Sequence, residues 1–186
     1  MDWSWCKQKS VLKTIPFEVE EIMLSKGGRQ IETPYHRLIS RDWVNVLPVT
    51  EQGDAILIRQ FRAGSLQWEL ETPGGCYDPG DLKIETAVSR ELEEETGYVS
   101  SDIVFLGSQN PNSAIHGNQI HFYLALNCRV AQSRVNFPDE NEDIEIVKFP
   151  VSELKSKVLS GEIQHSLCSL CVLLASEHSA IKKMCE

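Results

Sequence analysis

Residues 90–97 read Arg90-Glu91-Leu92-Glu93-Glu94-Glu95-Thr96-Gly97, and the fold is read outward from this octapeptide. From Glu85 to Thr96 there is no Pro or Gly, strong helix formers dominate, and Gly97 suits the left-handed position just past a helix end. The spacing predicts a helix over 85–96. On it Glu91, Glu94 and Glu95 stand at i, i+3 and i+4 and share a face, while Ala87 and Leu92 are candidates for the core side. The helix dipole is negative at this end, so each carboxylate costs about 0.3–1 kcal/mol there, and like-charge neighbours add a few tenths. Two readings stand: a solvated acidic face, or carboxylates gathered for a hard divalent cation, which reverses the local electrostatics. Upstream, Glu71-Thr72-Pro73-Gly74-Gly75 makes a tight turn whose backbone carbonyl could join the carboxylates as an oxygen ligand. Arg90 could anchor that loop or orient a carboxylate.

Around this helix the pattern is strand-rich. Phe17–Ser25, Tyr35–Ser40, Val44–Thr50 and Ala55–Phe61 read as strands, the last two joined by the turn Glu51-Gln52-Gly53-Asp54. Ile103–Gly107, Gln119–Asn127 and Ile144–Phe149 read as further strands, Ser108–Asn118 as a polar loop. Val151–Ser160, closed by Gly161, and Ser166–Lys183 read as helices. Strands, a helix, strands and then helices indicate a mixed α/β (α+β) sandwich, not a regular βαβ repeat.

The chain has 186 residues, enough for one domain with a substantial core and marginal for two. A net charge of −9 makes it a poor generic binder of nucleic acid or anionic membrane, and neither partner is expected. A polyanionic small molecule remains possible where a metal or local arginines offset the charge. No stretch reaches the roughly 20 apolar residues of a membrane helix, and the start shows no signal-type apolar run, so a cytoplasmic location is expected. Cys168-x-x-Cys171 lacks a second pair and reads as buried thiols rather than a redox or zinc motif.

The stretch Gly75–Tyr98 resembles the Nudix box, G-x5-E-x7-R-E-U-x-E-E-x-G-U with U bulky and apolar. Arg90, Glu91, Leu92, Glu94, Glu95, Gly97 and Tyr98 fit its second half. The first half departs: Asp81 stands where the family has Glu, the loop carries one extra residue, and counting back from Arg90 places Leu82 there. The resemblance implies a Nudix-type α/β/α sandwich with a mixed sheet. It also implies Mg²⁺, with Mn²⁺ as a substitute, on Glu91 and Glu95, with Glu94 beside them and the Gly75 carbonyl opposite.

The flanks Ile56-Leu57-Ile58-Arg59-Gln60-Phe61-Arg62 and Glu69-Leu70-Glu71-Thr72-Pro73-Gly74-Gly75 resemble the ADP-ribose and nucleoside-diphosphate-sugar pyrophosphatase branch. That implies Arg62 on a substrate phosphate, where bidentate guanidinium pairing is apt, and Glu71 near the metal or substrate. Alone, Arg62 is a surface arginine at a strand end and Glu71 an edge-strand carboxylate. Trp43 is a candidate to stack on the nucleobase, or else core packing. His116 either lies over the substrate or is plain loop surface. Asp139-Glu140-Asn141-Glu142-Asp143 is a solvated loop by composition. Its likeness to the branch's catalytic loop makes Glu140 the candidate base and Glu142 a metal ligand, roles the two could exchange, with Glu94 the next candidate base.

The branch also implies a homodimer through N-terminal strands, giving an arm over 1–40 and a Nudix hydrolase domain over 41–186. The expected reaction is Mg²⁺-dependent hydrolysis of nucleoside diphosphate sugars, of ADP-ribose or GDP-mannose type, to nucleoside monophosphate and sugar phosphate. The alternatives are a catalytically weak nucleotide-sugar sensor, or a hydrolase of nucleoside triphosphates or dinucleoside polyphosphates.

Overall fold

The computed structural model describes residues 2–137 and 143–185. The acidic stretch carrying Glu140 and Glu142 therefore lies outside the described residues. By internal contacts the chain forms two compact units, 1–42 with 109–120, and 43–108 with 121–186.

The first unit is a four-stranded sheet of β1 (Trp3–Lys13), β2 (Glu18–Lys26), β3 (Arg29–Gln30) and β4 (Tyr35–Ile39), in which β2 pairs with the other three. The antiparallel β1–β2 ladder runs from Trp3↔Lys26 to Lys13↔Glu18, with irregularities after Trp5 and Ser10. β1 is an addition to the strands read from sequence, and all of it is exposed. Residues 115–117 join this unit through Leu38, whose N–H donates to the Ile115 carbonyl and whose carbonyl accepts from Gly117.

The second unit is built on β5 (Trp43–Thr50), β6 (Asp54–Arg62), β7 (Gln67–Glu71), β8 (Gly74–Cys76), β9 (Tyr98–Val99), β10 (Asp102–Gln109), β11 (Ile120–Val130) and β12 (Ile144–Pro150). The main path is β10-β11-β5-β6-β12, with β7 on β6, β8 on β5 and β9 on β11. Gly53, with φ of 84°, closes the β5–β6 hairpin at the expected turn. The hairpin is paired at its tip, Val49↔Ala55, and splays beyond it. Into the split come β7, paired to β6 (Ile58↔Glu71), and β8, paired to β5 (Val44↔Gly75). The split carries Glu71 and the glycine turn into the middle of the sheet.

Helix α1 (Ile84–Thr96) covers one face, and a 3-10 turn (Val151–Glu153), α2 (Leu154–Leu159), α3 (Ser166–Ser176) and α4 (Ser179–Met184) complete the unit. Alternation along β5 sorts the two faces. Val44 and Val46 join Ala87, Val88 and Leu92 of α1 in one core cluster with Ile56, Tyr123 and Ala125. Asn45 instead donates to Cys168 of α3, and Leu47 lines a cavity with Val172 and Ile181. β5 is buried from Val44 to Thr50 because helices lie on both faces, which makes this unit an α/β/α sandwich. Each fully buried Val or Leu contributes about 1.5–3 kcal/mol over its exposed state.

One expectation fails. The last helix is not continuous over 166–183: α3 ends at Ser176, and α4 begins after His178, whose ring accepts from the Ala180 N–H as a new N-cap. Among the described residues no helix is long and apolar enough to cross a membrane.

Candidate active site

The buried residues of α1 are Ala87, Val88, Glu91, Leu92, Glu93, Glu95 and Thr96, so three glutamates share the buried positions with apolar side chains, and Glu91 and Glu95 continue the apolar stripe. Glu91 is 9% and Glu95 5% exposed. Carboxylates are rarely so buried unless partnered. The partners come from the glycine turn and from Arg90.

The Gly74 N–H donates to Glu95 Oε2 at 2.8 Å. At Gly75 a Cβ would stand 2.4 Å from Glu91 Oε1, and at Gly74 2.2 Å from the Val44 carbonyl oxygen. Both positions need glycine because other groups fill the place of a side chain.

Arg90 ties the helix to the loop that precedes it. Nη1 donates to Glu91 Oε1 at 2.8 Å and Glu94 Oε2 at 2.9 Å. Nη2 donates to the Cys76 carbonyl at 2.9 Å and Asp81 Oδ2 at 3.3 Å. Burial works against the guanidinium charge, but Glu91, Asp81 and Glu94 outweigh it and hold the pKa above its ordinary value. Asp81, at the box position where the family has Glu, thus serves as a loop anchor on Arg90. Leu82, the other residue that spacing offered there, is 93% exposed.

Arg62 and Glu71 form a bidentate pair, Nε to Oε1 at 2.8 Å and Nη2 to Oε2 at 2.7 Å. Glu71 is 2% exposed. The bond to Glu71 is the main cause that raises the Arg62 pKa; burial opposes it, and the charges of Glu71 and Glu95 add to it. The Cys168 thiol lies 4.0 Å from Glu71 Oε2, and Asn45 bridges Cys168 to Thr72. Burial pushes this thiol up to about 12, so it stays protonated beside the carboxylate. Cys168 and Cys171 are both buried, as packed thiols should be.

The structure therefore brings Glu71, Gly74, Gly75, Arg90, Glu91, Glu94 and Glu95 together, with Arg62 joined through Glu71. Trp43 starts β5 opposite Cys76 and is half-buried. His116 is in the other unit, bridged to Leu38. Sequence reasoning passed over Glu93 and Arg134. Glu93, 6% exposed, accepts the Val135 N–H at 2.8 Å and the Asn136 side-chain amide. Arg134 donates to the Glu94 carbonyl. Helical spacing sets Glu93 apart from Glu91, Glu94 and Glu95, but nothing in the sequence names the partners it meets.

Among the described residues no three His, Cys, Asp or Glu side chains are arranged as a metal-holding group. Arg90 draws Glu91 and Glu94, and the Gly74 N–H draws Glu95. The fit to a divalent cation is one of donor chemistry: clustered carboxylates and loop carbonyls are all hard oxygen donors, and Glu91 lies against a glycine that leaves it room.

A glutamate-bearing helix held by a glycine turn, set into a split sheet with helices on both faces, is the arrangement that the Nudix resemblance implies. The chain is a member of the Nudix family: the NUDIX domain model matches residues 40–167. It is 30% identical over 152 residues to the ADP-ribose pyrophosphatase of Bacillus subtilis (strain 168), covering 81% of this chain and 79% of that protein. It is 30% identical over 155 residues to the ADP compounds hydrolase NudE of Escherichia coli (strain K12), covering 78% of this chain and 76% of that one. A crystal structure of an ADP compounds hydrolase has the same fold, with a TM-score of 0.81 and 23% identity over 95% of this chain and 94% of that chain. The protein is a Nudix hydrolase.

Proposed function

We propose that this hydrolase cleaves the diphosphate bond of nucleoside diphosphate sugars, of ADP-ribose or GDP-mannose type, to nucleoside monophosphate and sugar phosphate, with Mg²⁺ on the carboxylate face of α1 and Mn²⁺ as a substitute. The observation that carries the reading is the burial of Glu91 and Glu95 against the Gly74–Gly75 turn, where stability alone calls for apolar residues. The two relatives, an ADP-ribose pyrophosphatase and an ADP compounds hydrolase, support the substrate class.

Glu91, Glu94, Glu95, Glu142 and the Gly75 carbonyl would hold the metal. Bound there, a divalent cation supplies charge to the diphosphate and makes a coordinated water more acidic. Arg90 keeps Glu91 and Glu94 oriented before substrate arrives, so little reorganisation is left for the reaction. Arg62, held by Glu71, offers guanidinium N–H groups to a substrate phosphate. Trp43 stacks on the nucleobase. Glu140 takes the proton of the attacking water as its oxygen bonds to phosphorus, and the bridging P–O bond breaks toward the departing monophosphate. A base in this role accounts for about 10²–10⁴ in rate.

The arm, residues 1–40, and the Nudix domain, residues 41–186, make a cytoplasmic homodimer in this reading. The exposed apolar side chains of β1, among them Trp3 at 51% and Trp5 at 66%, support an interface there. The test is a panel of nucleoside diphosphate sugars with Mg²⁺, scored by phosphate release after phosphatase coupling. Turnover of ADP-ribose or GDP-mannose is expected. Binding without turnover of any member makes the chain a sensor, and turnover confined to nucleoside triphosphates overturns the substrate class.

A further inference from the structure

We propose that Glu93 and Arg134 are positioning residues that hold the carboxylate-bearing last turn of α1 in the conformation that binds metal. The inference rests on reading Glu91, Glu94 and Glu95 as the metal-holding face.

The Nudix pattern leaves the position of Glu93 open, and α1 has no basic residue in its last turn. The cation that this helix end lacks comes from 40 residues further along the chain: Arg134 Nη2 donates to the main-chain carbonyl of Glu94. That carbonyl is one of the four that a helix leaves without an internal partner. A guanidinium there satisfies it and offsets the dipole where Glu94 and Glu95 crowd. Arg134 is itself held, with Nε donating to the Asn136 carbonyl at 2.9 Å and Cζ 5.0 Å from the centre of the Phe137 ring.

Glu93 completes the attachment from the helix side. Its carboxylate takes the Val135 N–H and the Asn136 amide. The Ala131 N–H donates to the Gly97 carbonyl at 2.9 Å, just beyond the same helix end. The side chains of Val135 and Phe137 are 73% and 62% exposed, so polar bonds rather than apolar burial hold this segment. Segment and helix turn thus fix each other. Without metal, repulsion among Glu91, Glu94 and Glu95 favours fraying of the turn, and the clamp resists it.

The test uses the full chain and two readouts: Mn²⁺ affinity without substrate, by electron paramagnetic resonance, and kcat and KM for ADP-ribose at saturating Mg²⁺. Arg134→Gln should weaken Mn²⁺ binding about 10-fold, the low end for groups that orient metal ligands. It should lower kcat similarly and leave KM within about twofold. Arg134→Lys, which keeps a cation at the carbonyl, should recover most of the Mn²⁺ affinity. Glu93→Ala should act as Arg134→Gln does; where it fails to fold, Asn136→Ala removes one of the two partners and should weaken Mn²⁺ binding by a smaller factor. Wild-type Mn²⁺ affinity in Arg134→Gln, whatever its melting temperature, overturns the proposal. Glu95→Gln separates the two readings. If it leaves Mn²⁺ binding intact, the metal face itself is misassigned. If it abolishes binding while Arg134→Gln does not alter it, only the clamp fails.

Discussion

The last turns of α1 and α4 follow opposite rules. α4 ends with Lys182 and Lys183, and Lys182 pairs with Glu177 at 2.7 Å. Cations at a helix C-terminus stabilise it by about 0.3–1 kcal/mol each at exposed positions. α1 ends with Glu91, Glu93, Glu94 and Glu95 and has no base in its last turn. Its compensation is imported: the Gly74 N–H for Glu95, Arg90 for Glu91 and Glu94, Arg134 for a terminal carbonyl. A helix that only had to be stable would resemble α4. Where local rules are broken and the breach is compensated from elsewhere, a ligand is the expected reason.

The contrast is broken most sharply at Glu95. Glu95→Gln should lower kcat by at least about 10²-fold, the upper end for residues that merely support ligands. Its metal-free melting temperature should hold or rise, because a repelling charge is gone. A lower metal-free melting temperature with activity kept would make Glu95 structural. Arg90→Ala should lower metal-free stability by about 1.5–3 kcal/mol through its charged hydrogen bonds, read by urea unfolding. Arg90→Lys should recover little of that loss, since one ammonium cannot serve both sides of the guanidinium fork.

The cores under the two faces can be compared through their thiols. Cys128, on the α1 side, and Cys168, on α3, are each pushed up to about 12, chiefly by burial. A raised acid pKa means that the folded state keeps its proton while the unfolded thiol, near 8.5, gives it up. Stability should therefore be intact below about pH 8.5 and fall toward pH 12, by up to about 1.4 kcal/mol per pH unit for each thiol. Cys128→Ala and Cys168→Ala should each flatten the alkaline slope equally if both faces are equally dry. The smallest effect is at α4: Lys182→Gln with Lys183→Gln should cost about 0.3–1 kcal/mol each and leave activity unchanged.

α1, its Gly97 end and the β5–β6 hairpin were legible because helical spacing, glycine placement and apolar runs agree there. β1 was not: Trp3–Lys13 is exposed along its whole length, so no burial imprints an alternation on it. The break at Glu177-His178 was missed because neither residue is a helix breaker, and His178 becomes a cap only when its ring turns to Ala180. The carboxylates of the site could be named from spacing, and Arg90 as a residue that anchors the loop or orients a carboxylate, but their other partners could not. Arg62 shares a face with Glu71 because the β6–β7 register sets Ile58, four residues before Arg62, opposite Glu71, and Asp81 Oδ2 takes both the Asp78 N–H of its turn and Arg90. Glu93 and Arg134 are far apart in sequence, and no motif joins them.

The most direct test of the account is phosphorus NMR of ADP-ribose incubated with the full chain, first in excess chelator and then with Mg²⁺ restored. The account predicts that the diphosphate signals persist in chelator and are replaced by two phosphomonoester signals once Mg²⁺ is present. Loss of the diphosphate signals at an undiminished rate in excess chelator would contradict it.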